Sequence, residues 1–188
     1  VPVGIPLVNQ YMNFRNSYYW DAKAMQDAPG DYTKANLTHF QHLNISAIKA
    51  NVIESEKEPL ESRIWYFYQN QINSIFTNEG MGANPTHIGR LLDDGSTQLE
   101  RYSYNDLGNV TQSIDPLGRT TNYTYAANGI DVNSVSQVNA SGGSDLLATF
   151  TWNGQHLPVT ITDASGAVTS FTYNARGQVT SVTNALGQ

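Results

Sequence analysis

The second half of this 188-residue chain repeats one short pattern in phase, and no other feature constrains the fold as much. An aromatic residue is followed by Asp or Asn after eleven positions, by Gly after three more, and by another aromatic residue after seven more. The two complete copies are Tyr104, Asp115, Gly118 and Tyr125, and Trp152, Asp163, Gly166 and Tyr173; Tyr173, Asn184 and Gly187 begin a third. Such spacing indicates a repeat architecture in which each unit of about 21 residues buries apolar surface against its neighbours.

The Asp-to-Gly part of the pattern predicts a hairpin turn. In residues 115–118 the Asp115 side chain can accept backbone N–H bonds, Pro116 presets φ, and Gly118 tolerates a positive φ. Residues 163–166 and 184–187 keep the same two ends. A second turn type is expected to alternate with the first at residues 105–108, 153–154 and 174–177. The runs between turns are rich in Thr, Val, Ile and aromatic residues, so we predict strands at 110–114, 120–125, 157–162, 168–173 and 179–183.

Four predicted strands carry two aromatic residues two positions apart, which places both rings on one face. The pairs are Tyr102 and Tyr104, Tyr123 and Tyr125, Phe150 and Trp152, and Phe171 and Tyr173. Their spacings are 21, 27 and 21 residues, and we expect the six surplus residues in an insertion loop near 128–145. The rings should form cross-strand ladders. The predicted fold class is all-β: antiparallel β-hairpin repeats in a continuous twisted sheet.

Three stretches carry a family resemblance: residues 102–111, 115–121 and 171–180 resemble the YD repeats of Rhs proteins, in register over roughly residues 87–188. The resemblance implies a β-sheet spiral that closes as a hollow shell. In bacterial Rhs toxins the shell encloses a C-terminal toxic domain until delivery, and in animal teneurins a comparable shell belongs to a cell-surface adhesion protein. The implied function is a structural shell segment that encapsulates and helps deliver a toxin domain. The implied partners are the rest of the shell and that toxin.

Length suggests that the chain is a fragment, because a shell that holds another domain needs many more strands than 188 residues supply. We expect residues 1–86 to be a degenerate β region of the same sheet and residues 87–188 to be the YD/Rhs repeats. No signal peptide is visible in this sequence. The resemblance nevertheless implies a secreted or cell-surface protein, delivered by a bacterial secretion system.

The N-terminal half gives weaker signals. We expect a short helix near residues 20–27, strand character over 36–52, and an aromatic strand at 64–68 with Tyr66 and Tyr68 on one face. The charged residues 54–60 suggest an exposed turn, and the Gly- and Asn-rich residues 78–85 suggest a loop. Residues 90–95 are a contracted copy of the strand and turn.

Composition and motifs argue against several functions. The net charge of −6 and pI near 5.0 disfavour nucleic-acid binding, and no run of about 18 apolar residues predicts a membrane span. The sequence has no Cys. His39 and His42 are three positions apart, which suits a metal only on a helix, so we expect both to be satisfied at the surface. We therefore predict no cofactor, no metal site and no enzymatic activity.

Two binding roles stay open. Exposed Tyr and Trp beside Asn, Gln and Asp would make a carbohydrate or partner platform, so the alternative function is an extracellular β-repeat adhesion module. Unpaired edge strands would also favour edge-mediated homo-oligomers.

Overall fold

A computed structural model describes residues 1–7, 12–43, 48–72 and 81–188, and describes residues 43, 48, 49 and 81–83 by their backbone alone. These residues form thirteen strands in one sheet, whose spatial order follows the chain order. The paired strands are antiparallel, which confirms the predicted all-β class. The strands are β1 Asn16–Tyr19, β2 Asn36–Leu43, β3 Ile48–Lys57, β4 Ile64–Gln69, β5 Met81–Leu91, β6 Thr97–Tyr104, β7 Val110–Ile114, β8 Thr120–Tyr125, β9 Val132–Val138, β10 Ser144–Trp152, β11 Pro158–Asp163, β12 Val168–Tyr173 and β13 Val179–Thr183.

The chain divides into two compact units, unit 1 (Val1–Arg101) and unit 2 (Tyr102–Gln188). The boundary between the degenerate β region and the YD/Rhs repeats, predicted between residues 86 and 87, stays a prediction. Unit 1 contains the expected helix, α1 (Ala22–Asp27), which the Asp21 carboxylate caps by accepting the Ala24 N–H at 2.7 Å. A 3₁₀ turn follows at Tyr32–Lys34.

One face of unit 1 is covered by the N-terminal segment. Cross-strand pairing aligns six residues in a row over β1 to β6: Asn16, His39, Ser55, Trp65, Gly89 and Leu99. Ile5 packs over Gly89, where an added Cβ would lie 2.6 Å from the Ile5 Cδ1 atom. Gly4 lies against Leu99 in the same way. The absence of a side chain at Gly89 therefore allows the N-terminal segment to pack against the sheet, and Ile5 is buried there.

Three expectations for unit 1 were wrong in part. Glu54 lies inside β3 and is 1% exposed, so the charged turn begins only after Lys57. β5 begins at Met81, so residues 81–85 form a strand rather than a loop; residues 78–80 lie outside the described residues. Tyr68 is buried together with Trp65 rather than sharing a face with Tyr66, because the β4–β5 register shifts after Phe67. Local composition cannot show such a shift.

In unit 2 the six surplus residues lengthen a hairpin instead of forming an insertion loop. β9 has seven residues where β7 has five, and β10 has nine where β8 has six. The sixth extra residue lies in the turn from Ala126 to Asp131, which is one residue longer than the turn from Asn105 to Asn109. The Gly-, Ser- and Asn-rich composition of residues 128–145 suggested a loop, but the Val-Asn-Ser-Val alternation of β9 pairs with both neighbouring strands.

Candidate functional site

Apart from the longer turn from Ala126 to Asp131, the turns of unit 2 share one geometry, illustrated by the turn that begins at Asp163. The Asp163 N–H donates to the Ala167 carbonyl at 3.0 Å, and the Gly166 N–H donates back to the Asp163 carbonyl at 3.0 Å. The Asp163 carboxylate accepts the N–H groups of Ser165 and Ala167 at 2.8 and 3.0 Å. Gly166 has φ +86°, the left-handed position of a three-residue hairpin loop. Hydrogen bonds from the Ser165 hydroxyl and the Ala167 N–H hold the pKa of Asp163 below its usual value.

The expected second turn type does not exist as a separate class. The turns that begin at Asn105, Asn153 and Asn174 make the same pair of backbone bonds as those at Asp115 and Asp163. Asn serves as well as Asp because the turn needs only the Oδ1 atom, which in Asn174 accepts the N–H groups two and four residues ahead. The repeat therefore alternates strand and turn with one turn geometry at both ends of the strands.

The second ring of the three later aromatic pairs has a polar role that the sequence analysis missed. The Tyr125 hydroxyl donates to the Val110 carbonyl at 2.7 Å, the Trp152 Nε1 to the Val132 carbonyl at 2.7 Å, and the Tyr173 hydroxyl to the Pro158 carbonyl at 2.6 Å. In every case the acceptor is the first residue of the preceding strand. The signal was present in the sequence: the second position is Tyr or Trp, whereas the first admits Phe.

The predicted rings lie on one face but do not form a ring-on-ring ladder across the strands. All eight are partly buried. Their cross-strand partners are aliphatic, as in Tyr123 with Val135 and Phe150 with Ile161. Stacked rings occur along a strand instead, between Tyr102 and Tyr104 and between Phe150 and Trp152, each with centroids 6.4 Å apart. The face is thus an alternation of aromatic and β-branched side chains.

The opposite face of unit 2 is lined by hydroxyl groups. One row across β8 to β11 contains Thr124, Ser134, Thr149 and Thr162, and a second across β10 to β13 contains Thr151, Thr160, Ser170 and Thr183. Neighbouring strands share hydroxyl bonds, at 2.7 Å between Thr124 and Ser134 and 2.6 Å between Thr151 and Thr160. Neither row contains a charged residue.

Side chains also tie neighbouring turns together at one rim of unit 2. The amides of Asn105 and Asn109 both donate to the Gly129 carbonyl, at 2.8 and 2.9 Å. Farther along, the His156 Nδ1 lies 3.0 Å from both carboxylate oxygens of Asp131. His156 occupies the turn position that is Gly in the neighbouring turns and has φ +60°, a conformation that is costly for a side chain with a Cβ. The contact with Asp131 offsets that cost.

Unit 1 contains a buried polar cluster that the sequence did not predict. His39 and Ser55 are 0% exposed, and Glu54 is 1% exposed. Arg63 donates to the Ser55 hydroxyl at 2.9 Å and lies over the Trp65 ring. The expectation that His39 and His42 are surface residues was wrong: they are 0% and 5% exposed, and His39 lies against Arg15 and Asn16, which are distant in sequence.

A cleft of about 280 Å³ in unit 1 is lined by acidic and basic residues, including Glu56, Glu61 and Arg90. These three charged side chains have partners: Arg90 lies 3.1 Å from Glu61, and the Tyr66 hydroxyl donates to Glu56 at 3.0 Å. Burial, together with that bond to Glu56, raises the pKa of Tyr66 to about 12. Across the described parts of the chain, no group of three or more His, Cys, Asp or Glu residues is arranged to hold a metal ion, and no helix is long and apolar enough to cross a membrane.

Comparison with known proteins identifies the repeat. A family model described as RHS Repeat matches residues 135–188, the part of unit 2 with the most regular turns. Residues 135–188 thus match Rhs repeats, and the resemblance to Rhs/YD-repeat proteins is confirmed. No curated protein matches the sequence.

Solved structures of low sequence identity share the fold of this chain. "Crystal Structure of TcdB2-TccC3" matches with TM-score 0.53 and 8% identity over 81% of this chain and 10% of that one. The same complex without its hypervariable C-terminal region matches with TM-score 0.52 and 8% identity over 81% and 9%. "Crystal Structure of TcdB2-TccC3-Cdc42" matches with TM-score 0.51 and 9% identity over 80% and 9%. This chain spans about a tenth of the length of the structures that it matches.

Proposed function

We propose that this chain is a wall segment of an Rhs-type shell that encloses a C-terminal toxin domain and helps to deliver it outside the producing cell. The observation that carries the proposal is the construction of unit 2, in which strand follows strand and Asp131 is the one buried residue. Such a layer separates two spaces instead of enclosing a reactive pocket. The Rhs repeat and the fold shared with the TcdB2-TccC3 structures support this role.

The proposed mechanism is physical confinement without catalysis. The carboxylates and carboxamides at the turns of unit 2 are engaged with backbone N–H groups, and the one His–Asp pair ties two turns together. These side chains therefore stabilise the turns through their hydrogen bonds. The proposed partners are accordingly the remainder of the shell and the enclosed toxin, with a secreted or cell-surface location.

Protease protection in the full-length protein that contains this segment tests the proposal. The toxin domain should survive a protease concentration that digests the isolated toxin domain, and Gly118→Val, which disrupts a turn at φ +81°, should remove that protection. Gly154→Ala is the matched control, because Gly154 lies in a turn but does not have a positive φ. Digestion of the toxin domain at the same rate with and without the intact shell would overturn the proposal.

A second candidate is glycan or partner binding by the ring face. It is favoured by the partly exposed stacked pairs Tyr102–Tyr104 and Phe150–Trp152, which form platforms of the kind sugars use. The bonds from Tyr125, Trp152 and Tyr173 to backbone carbonyls weigh against it, because those polar groups are no longer available to a ligand. Selective loss of binding on a glycan array by Tyr102→Ala, with folding retained, would favour this candidate.

We also propose edge pairing between copies of the chain. β13 ends the strand order, and Val179 and Val182 on it are 54% and 53% exposed. A strand without charge or Pro at a sheet edge favours pairing with another strand. Light scattering should show association that increases with concentration and decreases in Ser181→Lys. A monodisperse monomer at all concentrations would contradict this.

A further inference from the structure

Arg15 is held against β2 through both its backbone and its side chain. The Phe40 N–H donates to the Arg15 carbonyl at 3.2 Å, and the Arg15 Nε donates to the Phe40 carbonyl at 3.0 Å. Arg15 has φ +59°, a left-handed conformation that is unfavourable for a residue with a Cβ. The conformation persists because these contacts hold it, so loss of the side-chain contacts would let the backbone relax.

The Arg15 guanidinium also contacts the His39 ring. Its Nδ1 atom lies 2.7 Å from the Asn16 Oδ1 atom, which only accepts, so Nδ1 carries the proton. Its Nε2 atom lies 3.4 Å from the Arg15 Nη2 atom and is therefore the acceptor. A second proton on the ring must go to Nε2. That proton would remove the acceptor of the Arg15 Nη2 atom and place two cations in contact.

The surroundings make this second proton unfavourable while the cluster is closed. His39 is fully buried and faces Arg15 from the segment before β1, Arg63 from the segment before β4, His42 on β2 and Glu54 on β3, whose Oε1 lies 3.9 Å from Nε2. Burial, and then the charges of Arg15 and Arg63, lower the pKa of His39 to about 4. The single carboxylate of Glu54 is shared among these cations, so it does not compensate for both guanidinium groups.

We propose that His39 and Arg15 form an acid-sensitive anchor: protonation of His39 expels the Arg15 guanidinium and loosens residues 12–15 from the sheet. The anchor is closed at neutral pH. Because the open form takes up a proton at the ordinary His pKa of 6.5 and the closed form only near 4, the open-to-closed ratio rises up to about tenfold for each pH unit lost between these values. This device is independent of what the repeat sheet encloses.

A nitroxide label can report the opening directly, because the chain has no Cys that would also react. Asn13→Cys places the label on an exposed residue beside Arg15, and Leu117→Cys places a control label on an exposed turn of unit 2. We expect the electron paramagnetic resonance spectrum at position 13 to gain a mobile component between pH 7 and pH 4.5, while the spectrum at position 117 and the far-ultraviolet circular dichroism stay constant.

Two substitutions separate the proposal from general acid unfolding. His39→Gln retains an amide donor and acceptor but cannot become charged, so the spectrum at position 13 should no longer respond to pH. Asn16→Asp, which serves if His39→Gln does not fold, places a carboxylate against Nδ1 and favours the second proton on the ring, so the mobile component should appear at a higher pH than in wild type. A pH response that is equal in wild type and in the variant that folds, or no response in wild type, would overturn the proposal.

Discussion

Removal of a single hydroxyl group, in Tyr125→Phe, should destabilise unit 2 although the ring stays in place. The hydroxyl donates to the Val110 carbonyl at 2.7 Å, at the end of the β7–β8 ladder. Loss of one such hydrogen bond, including the cost of leaving the partly buried carbonyl without its donor, should lower the free energy of unfolding by about 1 kcal/mol. For the 87 residues of unit 2, about 1 kcal/mol corresponds to a decrease in Tm of roughly 4–8 °C.

Tyr123→Phe is the matched control for this experiment. Tyr123 lies on the same strand and the same face, it also loses a hydroxyl, and the equivalent position in the two later pairs is already Phe. We expect its Tm to stay within about 1 °C of wild type, because exposed polar changes usually alter stability by less than 0.5 kcal/mol. Differential scanning calorimetry of the chain, with circular dichroism to verify the fold, measures both variants.

The double variant Tyr125→Phe/Tyr173→Phe extends the test to two repeats. The Tyr173 hydroxyl makes the equivalent bond to the Pro158 carbonyl at 2.6 Å, and the two bonds share no atoms. Their losses should therefore add, to about 2 kcal/mol. Equal effects of the Tyr123 and Tyr125 substitutions, or no loss in the double variant, would refute the idea that the second ring is selected for its polar hydrogen.

Three further predictions concern the other contacts that define the fold. Burial lowers the folded-state pKa of His39 from 6.5 to about 4. The stability that neutral His39 contributes is therefore present above pH 6.5 and is lost as the pH falls towards 4, by about 3 kcal/mol. Urea denaturation at pH 7 and pH 4.5 should show a smaller loss of stability in His39→Gln than in wild type. Gly118→Val should lower the Tm of unit 2 by several degrees because Gly118 has φ +81°, while Gly154→Ala should leave it nearly unchanged, and equal effects would contradict the turn assignment. Gly89→Ala should increase hydrogen exchange of the residue 5 amide, because the new Cβ would lie 2.6 Å from Ile5 Cδ1. Adding Ile5→Ala should remove this clash and return the exchange towards the wild-type rate. Exchange unchanged by Gly89→Ala would show that the N-terminal segment does not depend on this contact.

The regular part of unit 2 could be predicted from the sequence because its determinants are local. The Asp115 side chain reaches N–H groups only two and four residues away, and Gly118 adopts its positive φ within the same turn. Each turn then fixes the register of the hairpin it closes. The number of turn types was overestimated, because Asn at 105 and Asp at 115 look different in sequence although both accept the turn's N–H groups through the Oδ1 atom that they share.

Unit 1 was harder to predict because its determinants are distant in sequence. His39 is buried by contacts with the adjacent residues Arg15 and Asn16 and with Glu54, which lie on two other segments of the chain. The register shifts between β2 and β3 move Glu54 from an apparently exposed charged run into the interior. Propensity and charge pattern describe each segment alone, whereas these positions depend on which residues the paired strands bring together.

The contacts of the aromatic pairs give the repeat a physical rule that spacing alone does not supply. The first ring packs on an aliphatic cross-strand neighbour, as Phe171 does on Val182, so any aromatic residue suffices there. The second ring must also reach the first carbonyl of the preceding strand, so it needs a polar hydrogen, which Tyr and Trp have and Phe lacks. Trp152 satisfies the rule although it is not Tyr, because its Nε1 bridges from β10 to Val132 at the start of the lengthened strand β9. The repeat is thus defined by a bond between two strands, which is why one unit can gain six residues and still continue the same sheet.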